Sequence, residues 1–399
     1  MSDDSLRIGF IPLVDAAALL IAVDKGFAAE QGLTVDLVRE VSWSNVRDKL
    51  NIGLLDAAHL LAPIAVSSTL GIGHVKVPLL SSFVLGLNGN AITVSPALYG
   101  ALAAAADGDL SNPNSTALAL ARVVAQRRKS GAAPLTFAMT FPFSMHNYQI
   151  RFWMAAGGVD PDEDVRLVVL PPPFMVDSLS SRQVDGFCVG APWNSIAVEL
   201  GIGRILHFGC DVMARAPEKV LAVRTAWAAN CGDVLKRLTV ALVRAVAFIN
   251  EPSNIDEVST LLAAPSRVGV AEEIIRRTLE GRMRMAPDGT SRVNPDYIII
   301  GRDGAARPER VYAAWLYAQM VRWNQAPFSA DLLAAAEASF SPDLYDLALS
   351  EPTSRAHAAS SVVSSVVPAD HIGAFAGPLF DPRDVAGYIH ALKRPAHGC

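Results

Sequence analysis

The chain has 399 residues, of which 51% are hydrophobic and 18% charged, a composition that excludes disorder and allows two buried cores. Its net charge of −5 excludes a global basic field for nucleic acid or anionic membrane, so any anion must be held by locally placed donors. Four cysteines (Cys188, Cys210, Cys231 and Cys399) show no CxxC spacing and no alternation with histidine, which argues against zinc and against a disulfide frame. The opening MSDDSLRIGFIPL has no basic n-region, apolar h-region or small-residue cleavage site, and AALLIAV at 17–23 is too short to span a bilayer. A cytoplasmic protein is therefore expected.

From the first residues, strand and helix alternate. LRIGFIPL reads as a buried strand. VDAAALLIAVDKGF reads as a helix, with Asp15 a candidate N-cap and Gly26 near its end. LTVDLVREV alternates as a strand does, and SNVRDKLNIGL opens a second helix with Ser44 or Asn45 near the cap. LDAAHLLAPIA continues as small apolar residues before the strand VKVPLLSSFVL. This grammar predicts a parallel sheet with helices on its faces. Asn88, Gly89 and Asn90 then form a turn-prone knot, after which the pattern restarts. A helix near 115–129 and the strand 135–141 lead to FPFSMHNYQIRFWMAAGG, a helix with Ser144 as cap and Gly157 and Gly158 as its end. The strand 165–170, a proline turn at 171–173, a helix near 175–182 and the strand 184–190 follow. Helical patterns dominate afterwards, broken by the loop-rich MAPDGTSRVNPDYIIIGRDGAARPER. Core is the expected place for the Trp-rich helix 311–323. SSVVSSVVPAD at 360–370 and the KRPAHGC tail read as surface connectors.

No glycine-rich phosphate loop, HExxH or GxSxG is present. The acidic run DPDEDVR at 160–166 reads as a solvated strand entry, with metal binding the lesser alternative. His146 with Cys188 can be drawn as a nucleophilic pair, but nothing local activates the thiol. What remains is a set of polar and aromatic residues where strands end and helices begin, the positions at which open α/β sheets collect ligands. Trp43 stands between Ser42 and Ser44. Asn88 and Asn90 mark the restart, and Thr140 precedes the His146 loop. Pro192 and Trp193 follow GFCVG, and Lys219 lies in APEKVLAV. His146 falls in a first helical turn, where unpaired amides and the helix dipole favour an anion. On its own stretch it reads first as an ordinary surface histidine, just as Trp43 reads as core and Lys219 as solvated. Together they offer donors, one cation, flat apolar walls and few carboxylates, which suits a small anion.

GFIPLVDAAALLIAVDKGFAAEQGLTVDL, SWSNVRDKL, TFPFSMHNYQIRFWMAAGGVDPDEDV, VDGFCVGAPWN and APEKVLAVRTAW resemble, in order, blocks of the nitrate- and bicarbonate-binding proteins, solute receptors of an ABC-transporter class. The resemblance spans roughly residues 6 to 325. It implies an α/β fold of the type II periplasmic-binding-protein kind, two α/β lobes with a ligand cleft between them. Residues 1–90 plus 205–399 would form one lobe, with a helical C-terminal extension, and 91–204 the other.

Carried over position by position, the resemblance makes Trp43 an aromatic wall and donor. It makes His146 and Lys219 the main polar and cationic contacts, and Thr140 a contact at the TFP turn. Asn88, Asn90 and Trp193 complete the expected ligand-binding set. No cofactor and no metal are implied. Replacing Lys219 by Ala is expected to abolish binding and leave the fold intact. The missing leader makes the chain similar to cytoplasmic nitrate/nitrite sensors. These are implied to bind nitrate or nitrite and to hold an RNA-binding antiterminator inactive, without touching nucleic acid or membrane. The alternatives are a transporter receptor and, on the same scaffold, an enzyme of the pyrimidine-precursor type; no enzymatic activity is expected.

Overall fold

A computed structural model describes residues 4–350 and 372–392. Cys399, the 360–370 connector and the KRPAHGC tail lie outside the described residues. These fall into two units, one of 4–87, 217–280 and 298–350, the other of 88–216, 281–297 and 372–392. Residues 88–90, 205–216, 281–297 and 372–392, which the sequence reading places in the first lobe, thus belong to the second unit.

The chain enters the first unit through β1 (Asp4–Phe10), which pairs in parallel with β2 (Leu33–Arg39) and β3 (Ala57–Leu61). Between β1 and β2 the helix Ala17–Asp24 is buried from Ala17 to Ala22, which explains why its sequence shows no polar face. Asp15 does not cap it. That residue lies in a 3-10 turn (Val14–Ala16) and its carboxylate is engaged elsewhere. The helix Trp43–Asn51 is capped by Ser42, whose hydroxyl accepts from the Asn45 N–H at 3.3 Å; neither Ser44 nor Asn45 is the cap.

LDAAHLLAPIA is not one continuous run. It divides into β3 and the helix Ala62–Leu70, with Pro63 in the first turn, where its missing N–H costs no bond. All five residues of β3 are buried, so it carries no alternation for a sequence to display. After β4 (Leu79–Asn88) the chain turns at Asn88 and Gly89, both with positive φ (61° and 88°), a conformation that asparagine and glycine tolerate best.

The second unit contains β5 (Asn90–Val94), β6 (Thr136–Met139), β7 (Arg166–Val169), β8 (Gly186–Gly190) and β9 (Arg204–Phe208), in spatial order β7-β6-β8-β5-β9. β6 is parallel to β7 and β8, whereas β5 is antiparallel to β8 and β9. β10 (Met213–Ala214) pairs later with β15 (Gly373–Ala374).

At Pro217 the chain returns to the first unit. β11 (Pro217–Arg224) inserts between β3 and β4, antiparallel to both. β12 (Arg282–Arg284) and β13 (Ser291–Val293) form a hairpin in the second unit. β14 (Ile298–Ile299) then closes the first sheet as β14-β4-β11-β3-β1-β2. Both sheets are therefore mixed. The purely parallel expectation is corrected, because strands arriving from distant sequence run against the βαβ units. The helix Gly232–Ile249 packs on Ala17–Asp24, and Arg310–Arg322 packs on Ala62–Leu70 with Tyr312, Trp315 and Tyr317 buried. The Trp-rich helix is core.

Candidate functional site

In the first unit, two neighbouring strands, a 3-10 turn and a helix start assemble a buried polar cluster. Lys219 lies on β11 beside β3, paired in register with Leu61, and is 0% exposed. Its Nζ is 2.8 Å from Asp15 Oδ2 and donates to Glu218 Oε1 at 2.7 Å. The ammonium also lies 5.3 Å from the ring centroid of Trp43, itself 1% exposed at the start of the helix Trp43–Asn51. His59, in the middle of β3 and 0% exposed, places Nε2 3.0 Å from Asp15 Oδ1. Its ring centroid is 5.4 Å from that of Trp43.

The electrostatics follow from burial and pairing. Burial alone would raise the Asp15 carboxyl, but Lys219 and His59 outweigh it and hold the group well below the usual carboxylate range. Burial alone would lower the Lys219 ammonium, but Asp15 and Glu218 raise it above its ordinary value. For His59, burial wins against the bond to Asp15 and lowers the imidazole below its ordinary value. An ionised Asp15 can only accept, so His59 Nε2 carries the proton and Nδ1 carries the lone pair. Neither His59 Nδ1 nor the Trp43 indole Nε1 has a hydrogen-bond partner.

This geometry corrects two expectations. Lys219 is not solvated, and its surroundings are not poor in carboxylates. Asp15 lies about two hundred positions away in sequence and was read as a helix cap. Glu218 stands next in the chain and was passed over. His59 was missed altogether, although a lone histidine inside an apolar run was a signal available in LDAAHLL.

In the second unit, Ser144 caps the helix Met145–Ala156, accepting from the Asn147 N–H at 3.1 Å, as its spacing predicts. His146 lies in the first turn and is fully buried, so the surface-histidine reading is set aside. Its Nδ1 is 3.0 Å from Thr140 Oγ1, which brings two expected contacts together. One turn along the same helix, Gln149 Oε1 accepts from Asn90 Nδ2 at 3.0 Å, while Gln149 Nε2 has no partner. Gln149 had not been singled out.

Two other expected contacts also have scaffold partners. The Asn88 amide is engaged at both ends, Nδ2 donating to Asp296 O and Oδ1 accepting from Ala216 N, each at 2.8 Å. Asn88 thus anchors the turn. Trp193 packs against the apolar cluster of Ala138, Met175, Phe187 and Val189, which makes it part of the core wall. Cys188 is buried, with Sγ 3.8 Å from Gln149 Oε1. In the acidic run, Asp162 takes a two-point bond from Arg151 (2.6 and 3.0 Å) and Asp164 pairs with Arg128. Among the described residues no group of three or more His, Cys, Asp or Glu is gathered as for a metal ion, and no helix is long and apolar enough to cross a membrane.

A two-sheet α/β scaffold carrying buried donors at strand ends and helix starts is the architecture of a small-ligand-binding protein. The chain belongs to the NMT1-like family, which it matches over residues 2–263, and within that grouping to the nitrate- and bicarbonate-binding receptors. It is 31% identical to the nitrate/nitrite binding protein NrtA of Synechococcus elongatus, over 97% of this chain and 86% of that protein. It is 32% identical to the nitrate import ATP-binding protein NrtC of Synechocystis, over 96% of this chain and 54% of that protein. The chain thus spans about half the length of the transport ATP-binding proteins it matches. The crystal structure of the periplasmic nitrate-binding protein NrtA from Synechocystis superposes with a TM-score of 0.85 at 26% identity, covering 98% of each chain. The fold is that of the periplasmic binding proteins. These relatives are named as binding and transport proteins.

Proposed function

We propose that this chain is a solute receptor for nitrate or nitrite, with Trp43 and Lys219 of the first unit as its principal contacts. The observation that carries the reading is the buried Trp43 indole N–H, which has no partner and lies beside a buried ammonium. A buried donor left unpaired costs about 1–3 kcal/mol, so a position that keeps one is suited to an acceptor ligand. The named binding activity of relatives similar along nearly the whole chain supports the same reading. Lys219 acts in it as a charge held in place by Asp15 and Glu218 and not as a bare cation. The ligand's bond in the first unit then comes chiefly from the Trp43 indole N–H. Regulation of an RNA-binding antiterminator is a separate reading that no structural observation favours.

The test is a thermal-shift panel with nitrate, nitrite, bicarbonate, sulfate and chloride. A ligand at a hundredfold excess over its Kd adds about 2.7 kcal/mol of apparent stability. Nitrate or nitrite is expected to stabilise the protein, and Trp43→Phe, which removes the N–H and keeps an aromatic wall, to lose the shift. Absence of a shift with every anion would overturn the proposal.

A further inference from the structure

His59 is the polar residue of the first-unit cluster that the receptor reading leaves without a task. Its position is unusually constrained. The side chain is 0% exposed on the central strand β3, and Asp15 accepts from Nε2 at 3.0 Å. Because an ionised carboxylate has no proton to give, the imidazole is locked with Nδ1 as an acceptor. That acceptor has no partner. The neighbouring Trp43, its ring centroid 5.4 Å away, presents an unpartnered donor. The two rings together call for a small ligand that accepts from the indole and donates to the imidazole.

Nitrate and nitrite have only acceptor oxygens. Bicarbonate has acceptor oxygens and one O–H. An acceptor-only anion set against the Nδ1 lone pair would meet repulsion between two electron-rich atoms. A proton on Nδ1 removes that conflict and turns the ring into a second donor.

We propose that His59 is a specificity-determining residue that senses whether the ligand brings its own proton: nitrate binds together with one proton taken up on His59 Nδ1, whereas bicarbonate binds without one. The proton comes from the buffer, bonds to the Nδ1 lone pair and leaves with the anion. Asp15 is the positioning residue, since it fixes the tautomer and steadies the imidazolium once formed. Burial keeps the imidazole neutral while no anion is bound, which makes the uptake conditional on the ligand.

The charged groups facing His59 are Asp15 from the 3-10 turn and Lys219 with Glu218 from β11. The helix Trp43–Asn51 brings Trp43 to it, while Arg47 pairs with Asp48 and Lys49 with Glu40. On β1, Asp4 pairs with Arg237 and Arg7 with Asp36, and the helix Ala62–Leu70 contains no titratable residue. His59 is thus the group in this cluster equipped to take a proton on binding.

The inference rests on the receptor reading, and one experiment separates the two. Calorimetric titration of the wild-type protein with nitrate, in buffers of different ionisation enthalpy between about pH 6 and 8, counts protons per anion. The expected result is about one proton taken up per nitrate, an affinity that falls by up to about tenfold per pH unit as pH rises, and no uptake with bicarbonate. His59→Gln keeps an N–H for Asp15 and cannot titrate, and should abolish the uptake and flatten the pH profile. The wild-type count stands whether or not that variant folds. Nitrate binding without proton uptake, or equal uptake with bicarbonate, overturns this inference alone. Absence of nitrate binding at every pH overturns this inference, and absence of nitrite binding as well overturns the receptor reading with it.

Discussion

Lys219 is an ammonium removed from water and compensated by two carboxylates, one adjacent in sequence and one in the 3-10 turn that follows β1. Pairs of this kind contribute little net stability as pairs, because desolvation offsets most of the attraction, yet removing one partner strands the other charge. Asp15→Asn and Lys219→Met are each expected to lower the unfolding free energy by about 3–5 kcal/mol. The double variant should lose less than the sum, because the second change removes a charge the first had stranded. Denaturant titration of the four proteins checks this, and strict additivity would show that the two groups do not depend on each other. The expectation that Lys219 could be removed with the fold intact took it as the charge of a ligand site and did not include its two buried ion pairs, which argue for a cost in stability. Residue types were legible here, since Trp43 and Lys219 were singled out and lie together. Their partners were not, because nothing in VDAAALL states that Asp15 turns toward a strand two hundred residues later.

Elements were legible where periodicity or punctuation spoke for them. The helix Met145–Ala156 is the clearest case: Ser144 caps it, Trp153 and Met154 are buried, and the chain leaves it through Gly157 and Gly158. The two glycines, alike in sequence, serve different physical ends. Gly158 has a φ of +86° and open space around it, so a side chain there meets only backbone strain. Gly157 has an ordinary φ, but a Cβ on it would lie 2.0 Å from the Ala117 carbonyl oxygen, in the helix Pro113–Lys129 packed beside it. Gly158→Ala should therefore cost about 1 kcal/mol, and Gly157→Ala about 2–3 kcal/mol or more, since backbone cannot give as a side chain can. Equal midpoints for the two variants in thermal denaturation would refute the packing role. Where periodicity was silent the reading failed. β3 is buried on both faces and shows no alternation, so the strand carrying His59 was absorbed into a featureless apolar run.

At the level of the whole molecule, chain order did not disclose that β11 enters a sheet begun two hundred residues earlier, nor that segments after 280 divide between the two units. Such pairings depend on long-range register, which no local window contains. Their consequence is a set of histidines enclosed by distant segments, and these are expected to set the onset of acid unfolding. His207 is buried on β9, with Nε2 2.6 Å from Thr116 Oγ1, and burial lowers its pKa to about 4. The unfolded chain, with an ordinary imidazole near 6.5, binds the proton that the folded state refuses. Stability from His207 is therefore complete above about pH 6.5 and is lost as pH falls toward about 4, by on the order of 3 kcal/mol in all. His59, lowered for the same reason, acts in the same direction. Asp15 acts later: its depressed carboxyl contributes stability above the ordinary carboxylate range and loses it only as pH falls below 3.8. Acid unfolding should thus begin in the histidine window, ahead of the carboxylates. His207→Gln, which keeps a polar side chain and removes the titration, should reduce the slope of unfolding free energy between about pH 4 and 6.5 while leaving the slope below it in place. Chemical denaturation at a series of pH values measures both slopes. An unchanged slope in the variant would show that the acid sensitivity comes from other groups.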